Sequence, residues 1–137
     1  MATGVAAARA LADVAGDVAS VVFFTDRFAS DSRHWLEHVR RTGGWLGAWM
    51  RSFSALQAED NPFAAAWRRQ MGALWDTGPH AFSTLSAALG PITQVTATAG
   101  AADLINMILR HEDGSTSTVT LTQFGPAAAR QSGRSRS

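Results

Sequence analysis

The chain contains no cysteine, no tyrosine and no lysine. Without cysteine there are no disulfides, no thiolate nucleophile and none of the common structural zinc sites, a pattern that fits a reducing compartment. Without lysine no side-chain amine is available to any chemistry. Long apolar runs are also missing: the longest, "VASVVFF" at 18–24, is far below the ~20 residues of a membrane helix. The start "MATGVAAARALADVAG" has no basic region, and Arg9 interrupts its apolar stretch, so it does not read as a signal peptide. A soluble, cytoplasmic protein without a membrane partner is expected.

What is present suits one folded domain. The 137 residues, 46% hydrophobic and 17% charged, are enough to bury roughly two thirds of the unfolded surface. The net charge of +1 comes from the end of the chain, where Arg130, Arg134 and Arg136 fall in the last eight residues. Without them nine arginines face eleven carboxylates, a balance of −2. A mildly acidic body lacks the basic stripe that nucleic acid requires, so no nucleic-acid partner is expected.

Along the chain, 4–15 is rich in helix formers, with Val5, Ala8, Ala12 and Ala15 on one face and Gly16 as a stop. The segment 18–24 follows, β-branched and apolar on both faces, as a strand inside a parallel sheet is. Asp31 or Ser32 can cap a helix carrying Trp35, Leu36 and Val39 and ending at Gly43-Gly44. The stretch "AWMRSFSAL", 48–56, alternates as a half-buried antiparallel strand does. After the loop "QAEDNP" a helix is expected over most of 72–89, with Phe82, Leu85 and Leu89 inward and Gly90-Pro91 as the stop. Strands follow at about 93–99, 103–111 and 116–124, the last two joined through the Asp113-Gly114 turn. The tail "GPAAARQSGRSRS" reads as disordered. The expected fold is α+β: a mostly antiparallel open sheet with helices on one face, preceded by a helix-strand unit.

Several residues carry candidate chemistry. "HWLEH", 34–38, fits H-x-x-E-H, in which His34 and His38 share a helix face and Glu37 serves as base in a zinc hydrolase. No recognisable third ligand follows it, and Glu37 with Arg41 also makes an ordinary solvated i,i+4 pair. His111, beside the hairpin turn, reads as surface and is assigned no function. Trp67 lies just before "MGALWDTGPH" and Trp75 within it, and Arg68 and Arg69 beside Trp67 suit an anionic or hydroxyl-rich ligand, although exposed arginines usually bind nothing specific. Within that stretch Asp76 and His80, four residues apart on one expected helix, can point into one cleft and exchange a proton with a hydroxyl. On spacing alone such a pair is more often a helix-stabilising contact.

Taken together, "WRRQMGALWDTGPHAFSTLSAALGPITQVTATAG" and "HEDGSTSTVTLTQF" resemble the second domain of the Gfo/Idh/MocA oxidoreductases. Gly72, Asp76, Gly78 and His80 fall on the family's D-x-G-x-H motif and the glycine before it. More weakly, "VVFFTDRFASDSRHWLEHVRRTGGWLGAWMRSFSAL" resembles the passage into that domain from the last strand of the nucleotide domain, with Arg27-Phe28 retained. The resemblance implies NAD or NADP as cofactor and a sugar or polyol-like substrate. His80 would exchange the hydroxyl proton and Asp76 would orient substrate or histidine; Trp67, Arg68, Trp75 and Arg27 would bind substrate. It divides the chain into 1–30, a remnant of the nucleotide domain, 31–124, an incomplete second domain, and the tail 125–137.

Two departures qualify that implication. The G-x-G-x-x-G turn that holds a pyrophosphate is absent, and so is the family's lysine. Gln70-Met71 replaces the first glycines, and Ser83 stands where an acidic residue is common. The chain alone is therefore expected to bind no dinucleotide and to be inactive. A partner chain supplying the nucleotide domain, or a homo-oligomer, is expected; a non-catalytic binding or oligomerisation module is the alternative.

Overall fold

The alternating segments pair into one four-stranded sheet in the order β1-β4-β3-β2, formed by β1 (Gly47–Phe53), β2 (Ile92–Ala99), β3 (Ile105–His111) and β4 (Thr116–Thr122). The computed structural model describes residues 4–125 apart from 17, 20, 23 and 58–60. Five helices accompany the sheet among the described residues: α1 (Val5–Ala15), α2 (Thr25–Phe28), α3 (Ser30–Thr42), α4 (Ala66–Asp76) and α5 (Gly78–Leu89). The α+β class follows, with β2-β3 and β3-β4 antiparallel. The expected tail lies, from residue 126 on, outside the described residues.

β1 departs from expectation by running parallel to β4. Its alternation reports one covered face and says nothing of direction. The long connection through α4, α5 and the β2-β3 pair makes the parallel return feasible. Ala48, Met50 and Ser52 face inward beside Ser117, Val119 and Leu121, while Trp49 and Phe53 face out. The Asp113-Gly114 turn forms as read, with Gly114 at φ 87° and Asp113 accepting from the Ser115 N–H and hydroxyl at 2.9 and 2.6 Å.

The expected helix over 72–89 is two helices, and the first begins earlier. Pro79, with no N–H to give to a preceding turn, sits in the first turn of α5 and cannot continue α4. Within α4, Gly72 adopts φ 69°, ψ −177°, a kink that L side chains rarely adopt. Gly78 is close-packed instead: a Cβ there would meet Leu74 Cδ1 at 3.2 Å, so that side chain would have to shift.

Ala73, Ala81 and Leu85 of the helices pack on Met107, Leu109, Val119 and Leu121 of the sheet. Each large side chain fully buried there stabilises by about 1.5–3 kcal/mol. Of the expected stripe of α3, Leu36 and Val39 are buried, whereas Trp35 is 52% exposed. No residue of α1 is buried. The strand expected at 18–24 is not found: none of its described residues is in a strand, and Val18, Val21 and Val22 are 70% or more exposed. A strand apolar on both faces forms only between neighbours, and the described sheet offers it none.

Candidate functional site

Pro79 is the second residue of α5, which places His80 in the helix's first turn. There the imidazole borders a cavity of about 220 Å3, also lined by Asp26, Arg27, Arg51, Thr77 and Thr84. The Phe24 ring meets it edge-on, centroids 5.2 Å apart at 71°. His80 Nδ1 is buried and has no hydrogen-bond partner among the described residues. An unpaired buried ring nitrogen costs about 1–3 kcal/mol, so native folds seldom keep one without a use.

Asp76 is not in that cavity. It ends α4 while His80 belongs to α5, so the expected single helix carrying both does not exist. Asp76 Oδ2 instead accepts from Arg68 Nε at 3.1 Å and from Gln123 Nε2 at 2.6 Å. Gln123 is fully buried, and its side-chain oxygen accepts from the Gln57 amide. The carboxylate thus ties the end of α4 to the end of β4.

Arg68 also donates to the Phe63 carbonyl at 2.9 Å and lies over the Trp67 ring, 4.8 Å from its centroid. Trp67 and Trp75 are exposed and neither lines the His80 cavity. Arg27, by contrast, is half-buried there, its Nη1 donating to Ser83 Oγ at 3.0 Å. Of the candidates read from the sequence, the structure brings Arg27 and His80 together and sets Arg68 and Asp76 apart as a pair.

Other readings change in three dimensions. His111 is not a surface residue: it is 1% exposed, with Nδ1 at 2.9 Å from the Gly90 carbonyl and Nε2 at 2.9 Å from Ser117 Oγ. The carbonyl can only accept, so Nδ1 carries a proton. Strand alternation turns this ring inward beside Leu109, which outweighs its place near the turn. His34, Glu37 and His38 are exposed on α3, and no group of three potential metal ligands gathers among the described residues.

Asp103 was not legible from the sequence. It accepts from the Ala73 N–H at 3.0 Å, the Thr122 hydroxyl at 2.7 Å and the Gln123 N–H at 3.1 Å. As one acid in a short turn, it carries no local signal of those distant partners.

A family model described as "GFO/IDH/MocA C-terminal domain" matches residues 44–134, about two thirds of the chain. The chain belongs to that family. A search of curated proteins finds no match.

Proposed function

From that membership and from the unpartnered nitrogen of His80, we propose that this chain is the substrate-binding part of an NAD(P)-dependent oxidoreductase acting on a sugar or polyol-like hydroxyl. The carrying observation is the buried Nδ1 beside a cavity whose other polar lining comes from Asp26, Arg27, Thr77 and Thr84. A substrate hydroxyl there supplies the partner the nitrogen lacks, and the imidazole is suited to exchanging that hydroxyl's proton at neutral pH. Arg27, steadied by Ser83, donates to neighbouring oxygens. Asp76 acts on the site indirectly, by fixing α4 against β4 two residues before α5 begins. Trp67, Arg68 and Trp75 form an outer surface against which a larger substrate can rest.

The residues present do not fit a dinucleotide. No G-x-G-x-x-G turn exists to receive a pyrophosphate, and no lysine exists to complete the site. NAD or NADP would therefore come with a nucleotide-binding domain on a partner chain, and the chain alone would not turn over. No hydride step is assigned to these residues.

The test is a titration of the 15N-histidine-labelled chain with glucose, myo-inositol, NADH and NADPH. A saturable shift of the His80 ring signals with a polyol, and no binding of either dinucleotide, is expected. His80 signals indifferent to both polyols would overturn the hydroxyl site; micromolar NADH or NADPH binding would overturn the dependence on another domain.

A second reading, a non-catalytic assembly module, draws on the outer face of the sheet. There Trp49 is 80%, Phe53 55% and Ile108 56% exposed, an apolar surface of the kind that contacts a partner. Sedimentation would decide it: a strict monomer at high concentration would remove assembly as the purpose.

A further inference from the structure

Arg27 borders a second, larger cleft as well. This one, about 440 Å3, is lined by Arg27, Ser30, Arg33, His34, Glu37 and Arg40, and completed by the buried Leu36 and Ala87. Arg33, Glu37 and Arg40 recur on one face of α3 at i, i+4 and i+7, and Arg27 reaches them from α2. Three arginines and one glutamate thus line one concave space, a formal excess of +2 before His34 is counted.

None of the three is neutralised among the described residues, where Arg68–Asp76 is the one ion pair. The partners the arginines do have are uncharged: Arg27 donates to the Ser83 hydroxyl and Arg40 Nε to the Ala87 carbonyl. Those two bonds hold the stems in place, and neither fork makes a further hydrogen bond among the described residues. Arg33 has no partner among the described residues, even though Glu37 lies one turn away. Solvated arginines scattered on a surface need no ligand. Convergence of three from two helices on a cleft with an apolar floor is a different arrangement, and the fork geometry of guanidinium matches an oxyanion.

Arg27 lines both cavities, which places them side by side. We propose that the cleft binds a phosphoryl group carried by the substrate, so that the substrate is a phosphorylated sugar or polyol, with its reacting hydroxyl at His80 and its phosphate on Arg33, Arg40 and Arg27. The net +2 of the cleft matches a phosphate dianion. The assignment to the substrate rests on the reading of His80 as the hydroxyl site.

The test uses the full chain, wild type and the variants Arg33→Gln and Arg41→Gln. Arg41 is an exposed residue of α3 outside the cleft, so its variant removes the same charge from the same helix. Inorganic phosphate is titrated first at low salt, then glucose 6-phosphate against glucose, following the arginine side-chain and His80 ring resonances. Phosphate is expected to bind saturably, weakened about tenfold by Arg33→Gln, the loss of a charged hydrogen-bond partner, and less than about twofold by Arg41→Gln. Glucose 6-phosphate is expected to bind about tenfold more tightly than glucose and to shift His80, with Arg33→Gln erasing that preference. Equal losses in the two variants, or no saturable binding of phosphate, would overturn the cleft as a site. Glucose shifting His80 with no advantage for glucose 6-phosphate would overturn the phosphoryl assignment while leaving the hydroxyl site standing. Phosphate binding sensitive to Arg33→Gln, with His80 unmoved by either sugar, would overturn the hydroxyl site and with it the link to the substrate.

Discussion

Asp103 lies against Gly72: a Cβ on that glycine would come 3.3 Å from Asp103 Cβ, and Asp103 Oδ2 accepts the N–H of the next residue, Ala73, at 3.0 Å. The kink of α4 and the turn between β2 and β3 are thereby locked together. α4 reaches Asp76 in the position that lets it meet Gln123.

Gly72→Ala should destabilise the fold by about 1–2 kcal/mol, since φ 69° is a left-handed conformation that a Cβ disfavours. Asp103→Ala should cost more, about 3 kcal/mol, because it strands the N–H groups of the buried Ala73 and Gln123. Urea denaturation of both variants checks the order; Gly72→Ala equal to wild type would show that the kink relaxes freely.

Asp76→Ala should lose about 2–3 kcal/mol, chiefly by leaving the buried Gln123 amide without its acceptor. Arg68→Gln should lose no more than about 1 kcal/mol, because its pair is still partly exposed, 26% and 15% at the two side chains. The same denaturation curves give both numbers. Equal losses would mean that the ion pair, and not Gln123, holds the carboxylate.

His80→Leu should be neutral, or stabilise by up to about 1 kcal/mol, because it removes an unsatisfied buried nitrogen and leaves a side chain of similar size. Loss of polyol binding without loss of melting temperature is the expected pair of results. A loss of stability above about 2 kcal/mol would make His80 a packing residue.

The Asp113 carboxyl is held below its ordinary value, first by the Ser115 hydroxyl and then by the Ser115 N–H. A carboxyl lowered on folding adds stability above its unfolded value, about 3.9, and that contribution disappears as pH falls through the folded value. Asp113→Asn should therefore melt below wild type near pH 6, and the gap should close toward about pH 3. Melting curves across that range provide the check; a gap that widens in acid would reverse the sign and remove the cause.

Much of the fold was open to reading from local pattern. Leu36, Val39, Leu85 and Leu89 are inward where helical spacing puts them, and the Asp113-Gly114 hairpin forms with Gly114 at the positive φ its turn requires. Less of the site was open. Arg27 and His80 share a cavity, whereas Asp76, four residues from His80, is turned to other partners. Spacing of four implies a shared face only on one unbroken helix, and Pro79 breaks it.

Amphipathic period, turn chemistry and the D-x-G-x-H run are properties of neighbouring residues, so the sequence by itself determined most of the elements and the family, though neither the absence of a strand among the described residues of 18–24 nor the break at Pro79. Only the tertiary structure decided that β1 runs parallel to β4, that His111 is buried on Ser117, and that Arg27 meets Ser83 56 positions away. The reason is physical. Partner choice across the chain is set by which surfaces the core brings within hydrogen-bond reach, and no local repeat records it.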